Sequence, residues 1–177
     1  MFNEFSISVK SQNKKAKYAF GGCLGSALIF VIAYMNIPKY QGIVGIGALA
    51  FITAAIYIYN RYVAAEYGYD VTVDSVGRPV FVVRQKVGKR NATVCRIDLY
   101  GISSIEKLDK ETRRSRKTEK GVLKYVYGPT LMPDTIYLIS SRTSREKADL
   151  YVEATDEFAS ALREAVRLSR EYVIEEE

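Results

Sequence analysis

The sequence predicts an α-helical transmembrane hairpin followed by a mainly-β domain that ends in a helix, and three observations carry that reading. Two stretches near the N-terminus hold no charged residue over the length needed to cross a bilayer. Seven short downstream segments alternate apolar and polar residues or sit between turn residues, as strands do. From Thr155 onward the apolar spacing changes to that of a helix.

Composition narrows the chemistry. The chain has 177 residues, 26 Lys plus Arg against 20 Asp plus Glu, two Cys, no His and no Trp. The absent imidazole excludes histidine-dependent triads and HExxH metal sites, and two cysteines cannot supply a four-thiolate zinc site. The expectation is a protein without catalytic residues, metal or cofactor. Asp98, Asp134, Asp156 and Glu157 have ordinary structural explanations, and no nucleophile or oxyanion motif accompanies them.

Taken in order, residues 1–17 form a polar, basic tail expected on the cytoplasmic side. Phe5, Ile7 and Val9 alternate with Ser6 and Ser8, so this tail is either disordered, the preferred reading, or adds a short strand. The first span covers 18–37 and the second 42–62, with Pro38, Lys39, Tyr40 and Gln41 between them. As a helix, 20 residues extend about 30 Å, the hydrocarbon thickness. Neither span has a polar face, which argues against soluble core helices. The first run is too long for a signal-peptide core and a second follows at once, so both are expected to remain. Lys10, Lys14, Lys15 and Lys17 before the first span and Arg61 after the second outnumber Lys39 between them, which places both termini in the cytoplasm. Tyr18, Tyr34, Tyr40, Tyr57, Tyr59 and Tyr62 stand near the span ends, where an amphipathic ring keeps its hydroxyl at the headgroups.

Small residues four apart let helix backbones approach closely. Gly21 with Gly25, Gly22 with Ser26, and Ala50 with Ala54 have this spacing, and Gly42, Gly45 and Gly47 add to it. They serve either to pack the two spans of one chain together or to make a homo-oligomer face. The spans hold no carboxylate or cation of the kind that ion and proton pathways use, which disfavours transport.

From Arg61 onward 117 residues carry 21 basic and 19 acidic side chains, enough for one small domain. Strands are expected at Tyr67–Asp74, at Val80–Val83 with extension to Val87, at Thr93–Leu99, around Ile102, Ile105 and Leu108, and at Val122–Tyr127, Thr135–Ile139 and Ala148–Val152. Cys95 reads as a small core residue rather than a reactive thiol. Thr155 suits an N-cap, Asp156 and Glu157 suit the positive end of the helix dipole, and Phe158, Leu162, Ala165, Val166, Ser169 and Val173 fall on one stripe. The domain spans 67–173 and an acidic tail occupies 174–177.

The order of these elements, with RIDLYGISSIEKL at Arg96–Leu108 and ADLYVEATDEFASALREAV at Ala148–Val166 closing the domain, resembles the bacterial pleckstrin-homology (PH) family. The resemblance implies a seven-stranded, partly open barrel capped by the C-terminal helix. It also implies a scaffold role at the bacterial cytoplasmic membrane, without naming a ligand. Eukaryotic relatives bind inositol phospholipids through basic residues of the first two strands; here that region offers Arg78, Arg84 and Lys86 beside Asp70 and Asp74, and the spaced basic pattern is not reproduced.

Two surfaces remain as binding candidates. Between Lys107 and Lys124, eight basic residues face three acidic ones on an expected loop, and Lys110, Arg113, Arg114, Arg116, Lys117 and Lys120 are its candidate contacts for anionic lipid or a protein partner. The alternative is a solvated loop with no ligand. Aromatic residues do not interleave with this run, so nucleic acid is not expected. Tyr125 and Tyr127 alternate on one strand, with Tyr137 expected on the adjoining strand, and form either a peptide-binding face or core. An open sheet edge would also accept a partner strand. The resulting expectation is a membrane-anchored scaffold or regulatory module, the alternative being an accessory subunit of a membrane transport or envelope complex assembled through its spans.

Overall fold

The computed structural model describes residues 4–10, 14–116, 119–131, 133–142 and 147–174. The chain divides into two units. One is a helical hairpin, with which Pro129–Leu131 are grouped; the other joins an N-terminal strand to the rest of the chain after the hairpin.

The hairpin consists of α1 (Lys14–Asn36) and α2 (Gln41–Ile58), joined by a 3₁₀ turn at Pro38–Tyr40. Proline starts that turn, where its missing N–H costs nothing. A π-helical turn at Tyr59–Val63 extends α2, closed by the Ala64 amide donating to the Tyr59 carbonyl at 2.8 Å. Alanines are the residues buried in both helices: Ala16 and Ala27 in α1, Ala48 and Ala55 in α2. Large apolar side chains point the other way, with Leu28, Ile29, Ile43, Ile46 and Leu49 exposed. An apolar exterior around a small-residue seam inverts the pattern of a soluble helix pair. Both helices, the second taken through Val63, are long and apolar enough to cross a membrane.

The other unit holds eight strands in two open four-stranded sheets, rather than the seven strands of a partly open barrel that the resemblance implied. The eighth strand is β1 (Phe5–Lys10), within the tail read as disordered. It pairs antiparallel with β2 (Ala65–Val73), Phe5 opposite Val71 and Val9 opposite Tyr67. Period-two alternation of Phe5, Ile7 and Val9 was the signal, and the β2 edge supplies the partner that a lone strand lacks. β3 (Pro79–Val87) and β4 (Arg90–Asp98) complete the first sheet in the order β1-β2-β3-β4. Asp74 shapes the β2–β3 turn by accepting from the amides of Val76 and Arg78, both at 2.8 Å, and Gly77 takes a φ of 86° there. A bulge between Val83 and Arg84 interrupts the β3–β4 register.

The second sheet comprises β5 (Ile102–Asp109), β6 (Leu123–Tyr127), β7 (Thr135–Arg142) and β8 (Lys147–Val152), in the order β5-β7-β8-β6. β6 runs parallel to β8 while the other pairs are antiparallel. The sequence places Tyr137 beside Tyr125 and Tyr127, but β8 lies between their strands, so that expectation is corrected. Six of the eleven residues from Lys110 to Lys120, expected as loop, are instead helical, from Lys110 to Ser115, as α3, whose first turn Asp109 caps by accepting from the Thr112 amide at 2.7 Å.

α4 (Asp156–Ile174) buries the stripe read from the sequence, Phe158, Leu162, Ala165, Val166 and Ser169. Val173 and the tail from Glu175 lie outside the residues whose side chains are described. The Thr155 hydroxyl accepts from the Phe158 amide at 3.2 Å, the expected N-cap. Phe158 is the hub of the core: its ring lies 5.3 Å from Phe5, 6.2 Å from Tyr69 and 6.4 Å from Phe81. Tyr69 ties the sheets together, donating its hydroxyl proton to the Tyr127 carbonyl at 2.5 Å and accepting from the Glu153 amide at 3.2 Å.

Candidate functional site

An open cleft of about 450 Å³ lies between β4, at the end of the first sheet, and β6, at the end of the second. Its volume falls in the range of small-ligand sites, about 300–1,000 Å³. Strand register explains its walls. Tyr125 stands opposite Leu150 and Leu123 opposite Ala148 across β6–β8, while Ser141 stands opposite Ala148 across β7–β8. Leu150, Ala148 and Ser141 therefore share one face with Tyr125 and Tyr127. The facing wall is β4 from Val94 to Asp98.

The two tyrosine rings are parallel within 5°, with centroids 5.9 Å apart. Tyr127 is held by its hydroxyl, which donates to the Val94 carbonyl at 3.2 Å and so bridges the cleft. Both rings are half-buried, between the core and peptide-face alternatives of the sequence reading. Arg96 is neutralised by Asp74 at 3.3 Å. The main-chain amides of Val76 and Arg78, helped by that guanidinium, hold the Asp74 carboxyl below its ordinary value. Asp98, two residues further along β4, stands opposite Val80 in the sheet, and its side chain does not cap the 3₁₀ turn that follows. Cys95 also lines the cleft and is half-buried, so it is not a closed core residue.

Two other polar clusters hold the fold. On β8, Asp149 is buried against the Ser140 hydroxyl at 3.0 Å and the Arg142 guanidinium at 2.9 Å, so its charge is compensated. At the start of α4, Asp156 accepts from Lys107 at 2.7 Å and from the Tyr137 hydroxyl. Those two bonds lower the Asp156 carboxyl, while burial and then the carboxylate raise the Tyr137 hydroxyl. A phenol raised in this way keeps its proton at neutral pH, which suits a tie between β5, β7 and α4 rather than proton transfer. Among the described residues no three metal-ligating side chains converge.

The basic stretch does not act as one patch. Lys110, Arg114, Arg116 and Lys120 are exposed and Arg113 is half-buried, and of these Arg116 is paired with Glu106 on β5 at 2.5 Å. Lys117 lies outside the described residues. In the hairpin, a side chain at Gly21, Gly22, Gly25 or Gly42 would meet open space, and Ala50 is exposed, so these five do not pack α1 against α2. The close approaches are at Gly45, where a Cβ would stand 3.3 Å from the Tyr34 ring, and at Gly47, where it would collide with the Phe30 ring. Ser26 and Ala54 are half-covered.

Sequence reasoning singled out Tyr125 and Tyr127 but could not see that β4 faces them, because some 30 residues separate the strands. Asp98 and Cys95 were weighed singly for that reason. Comparison with family models, curated proteins and solved structures finds no match to this chain.

Proposed function

We propose that this chain is a membrane-anchored binding module: α1 and α2 cross the bilayer with both termini cytoplasmic, and the β unit engages a partner polypeptide through the β4–β6 cleft. The observation that carries the anchor is the hairpin's inverted surface, alanines inside and uncovered leucines and isoleucines outside. Leu28, Ile29, Ile43, Ile46 and Leu49 are each more than 60% exposed, a cost in water that acyl chains remove. Kinship with the bacterial PH family belongs to this proposal. It is supported by the succession of short strands and the C-terminal helix; the parallel β6–β8 pair and the added β1 are departures a relative would have to share.

Binding rather than catalysis is the work assigned to the cleft, whose walls combine the rings of Tyr125 and Tyr127, the apolar side chains of Ala148 and Leu150 and the outer edge of β4. Lys110, Arg114 and Lys120 are the side chains available for contact with anionic headgroups. The alternative, an accessory subunit of a transport or envelope complex joined through its spans, has one observation in its favour: Gly21, Gly22 and Gly25 face away from α2. Native-membrane cross-linking separates the two. Partners lost on Tyr125→Ala with Tyr127→Ala support the cleft, and partners lost only on Gly21→Leu with Gly25→Leu support the spans. The anchor itself is tested by alkaline extraction of membranes expressing the chain: it stays in the pellet if the hairpin is inserted, and its release into the supernatant overturns the reading.

A further inference from the structure

We infer that the outer edge of β1 is a self-association surface, on which the β1 strand of a second copy of this chain pairs antiparallel. The inference goes beyond the binding module proposed above and rests on its anchor only to hold both copies in one membrane. Two open sheets present four end strands, and among the described residues three of them are engaged beyond their own sheet. β4 and β6 face each other across the cleft, where the Tyr127 hydroxyl donates to the Val94 carbonyl. On β5, Arg170 and Arg163 of α4 donate to the carbonyls of Ile102 and Ile105. β1 differs, because among the described residues its main chain pairs with β2 alone. Natural edge strands are commonly shielded by charge, proline or a bulge. From Phe5 to Val9 β1 carries no charge and no proline, and its register with β2 runs unbroken from Phe5 to Lys10.

The strand is self-complementary about Ile7. An antiparallel pair centred there sets Ser6 of each copy opposite Ser8 of the other, Phe5 opposite Val9, and acidic Glu4 opposite basic Lys10, the isologous contact of a two-fold dimer. Glu4 is already ordered at the end of β1 by the Thr72 hydroxyl and the Val73 amide. Phe5, Ile7 and Val9 share one face and are half-buried, so apolar neighbours arriving on that face extend their cover, while Ser6 and Ser8 stand on the exposed face. Main-chain pairing joins two four-stranded sheets into one of eight and satisfies the outward amides and carbonyls of both copies. Confinement to one bilayer raises the effective concentration, so a contact of six residues is enough.

The test uses the full chain in native membranes, first with Cys23→Ser and Cys95→Ser to remove the native thiols. Residues opposite each other in an antiparallel pair lie about 4.5–5.5 Å apart at Cα, within disulfide reach. Under copper phenanthroline, Ile7→Cys is expected to give a disulfide dimer several-fold faster than Val76→Cys, which is exposed on the β2–β3 turn. Adding Ser6→Lys and Ser8→Lys sets like charges opposite each other in the dimer but on the exposed face of each copy, so cross-linking should fall to the Val76→Cys rate with the melting temperature unchanged. In the chain with its cysteines intact, a benzophenone amino acid in place of Ser8 identifies the occupant: an adduct of twice the chain mass supports self-pairing. No adduct, an adduct with another polypeptide, equal rates for Ile7→Cys and Val76→Cys, or indifference to the two lysines overturns the proposal. Alkaline extraction of the same membranes reports on the anchor separately, so a failed anchor and a failed pairing are told apart.

Discussion

At the residue scale, two side chains decide how the β unit holds together. Tyr69 spends its hydroxyl on two main-chain groups from different segments, the Tyr127 carbonyl and the Glu153 amide. Tyr69→Phe keeps the ring and strands both groups, so about 1–3 kcal/mol of unfolding stability should be lost, measurable by denaturant titration. Phe158→Ala removes the ring that touches Phe5, Tyr69 and Phe81, at a cost of about 3–5 kcal/mol. The hairpin offers a sharper contrast. Gly47→Ala forces a methyl group against Phe30 and should destabilise by about 1–2 kcal/mol after the helix-propensity gain, whereas Gly21→Ala meets open space and should be neutral or stabilising. Thermal unfolding in one detergent distinguishes them. Spacing in the sequence ranks these glycines alike, since only the rotation of each helix decides which of them meets the other helix.

At the element scale, α4 is fastened at its start by Asp156 to Lys107 and Tyr137, and along its length by Arg163 and Arg170, which donate to the carbonyls of Ile105 and Ile102. Because the folded carboxyl of Asp156 is depressed, the stability it contributes is present above its ordinary value of 3.8 and disappears as pH falls through the lower, folded value. Asp156→Asn should therefore lower stability at neutral pH, by a small amount because the group is exposed, and flatten the acid limb so that variant and parent converge below about pH 4. α3 gives a second element-scale contrast. Arg116→Glu sets a carboxylate against Glu106 and should destabilise by about 1 kcal/mol, while Arg114→Glu, on the exposed side, should be silent in the same melt. Strands β2 to β8 and helix α4 were largely legible, because period-two runs and turn residues mark them locally. β1 and α3 were not. A six-residue strand needs an edge to pair with, and α3 depends on the single cap at Asp109, which a loop would display equally well.

At the scale of the whole molecule, an even number of spans requires that both ends of the chain lie on one side of the bilayer. Reporters fused before Met1 and after Glu177 should both be active in the cytoplasm, and opposite placement would exclude the hairpin. Sequence alone determined the existence of two apolar spans, the succession of strands and the amphipathic stripe of the last helix, since each follows from local composition and period. Tertiary structure decided which ends of the two sheets face each other across the cleft, which glycines pack the spans, and that Arg116 pairs with Glu106 on the surface of β5. Those outcomes depend on contacts between segments far apart in the chain, and a one-residue change in register or a partial turn of a helix would reassign every one of them without altering the local pattern.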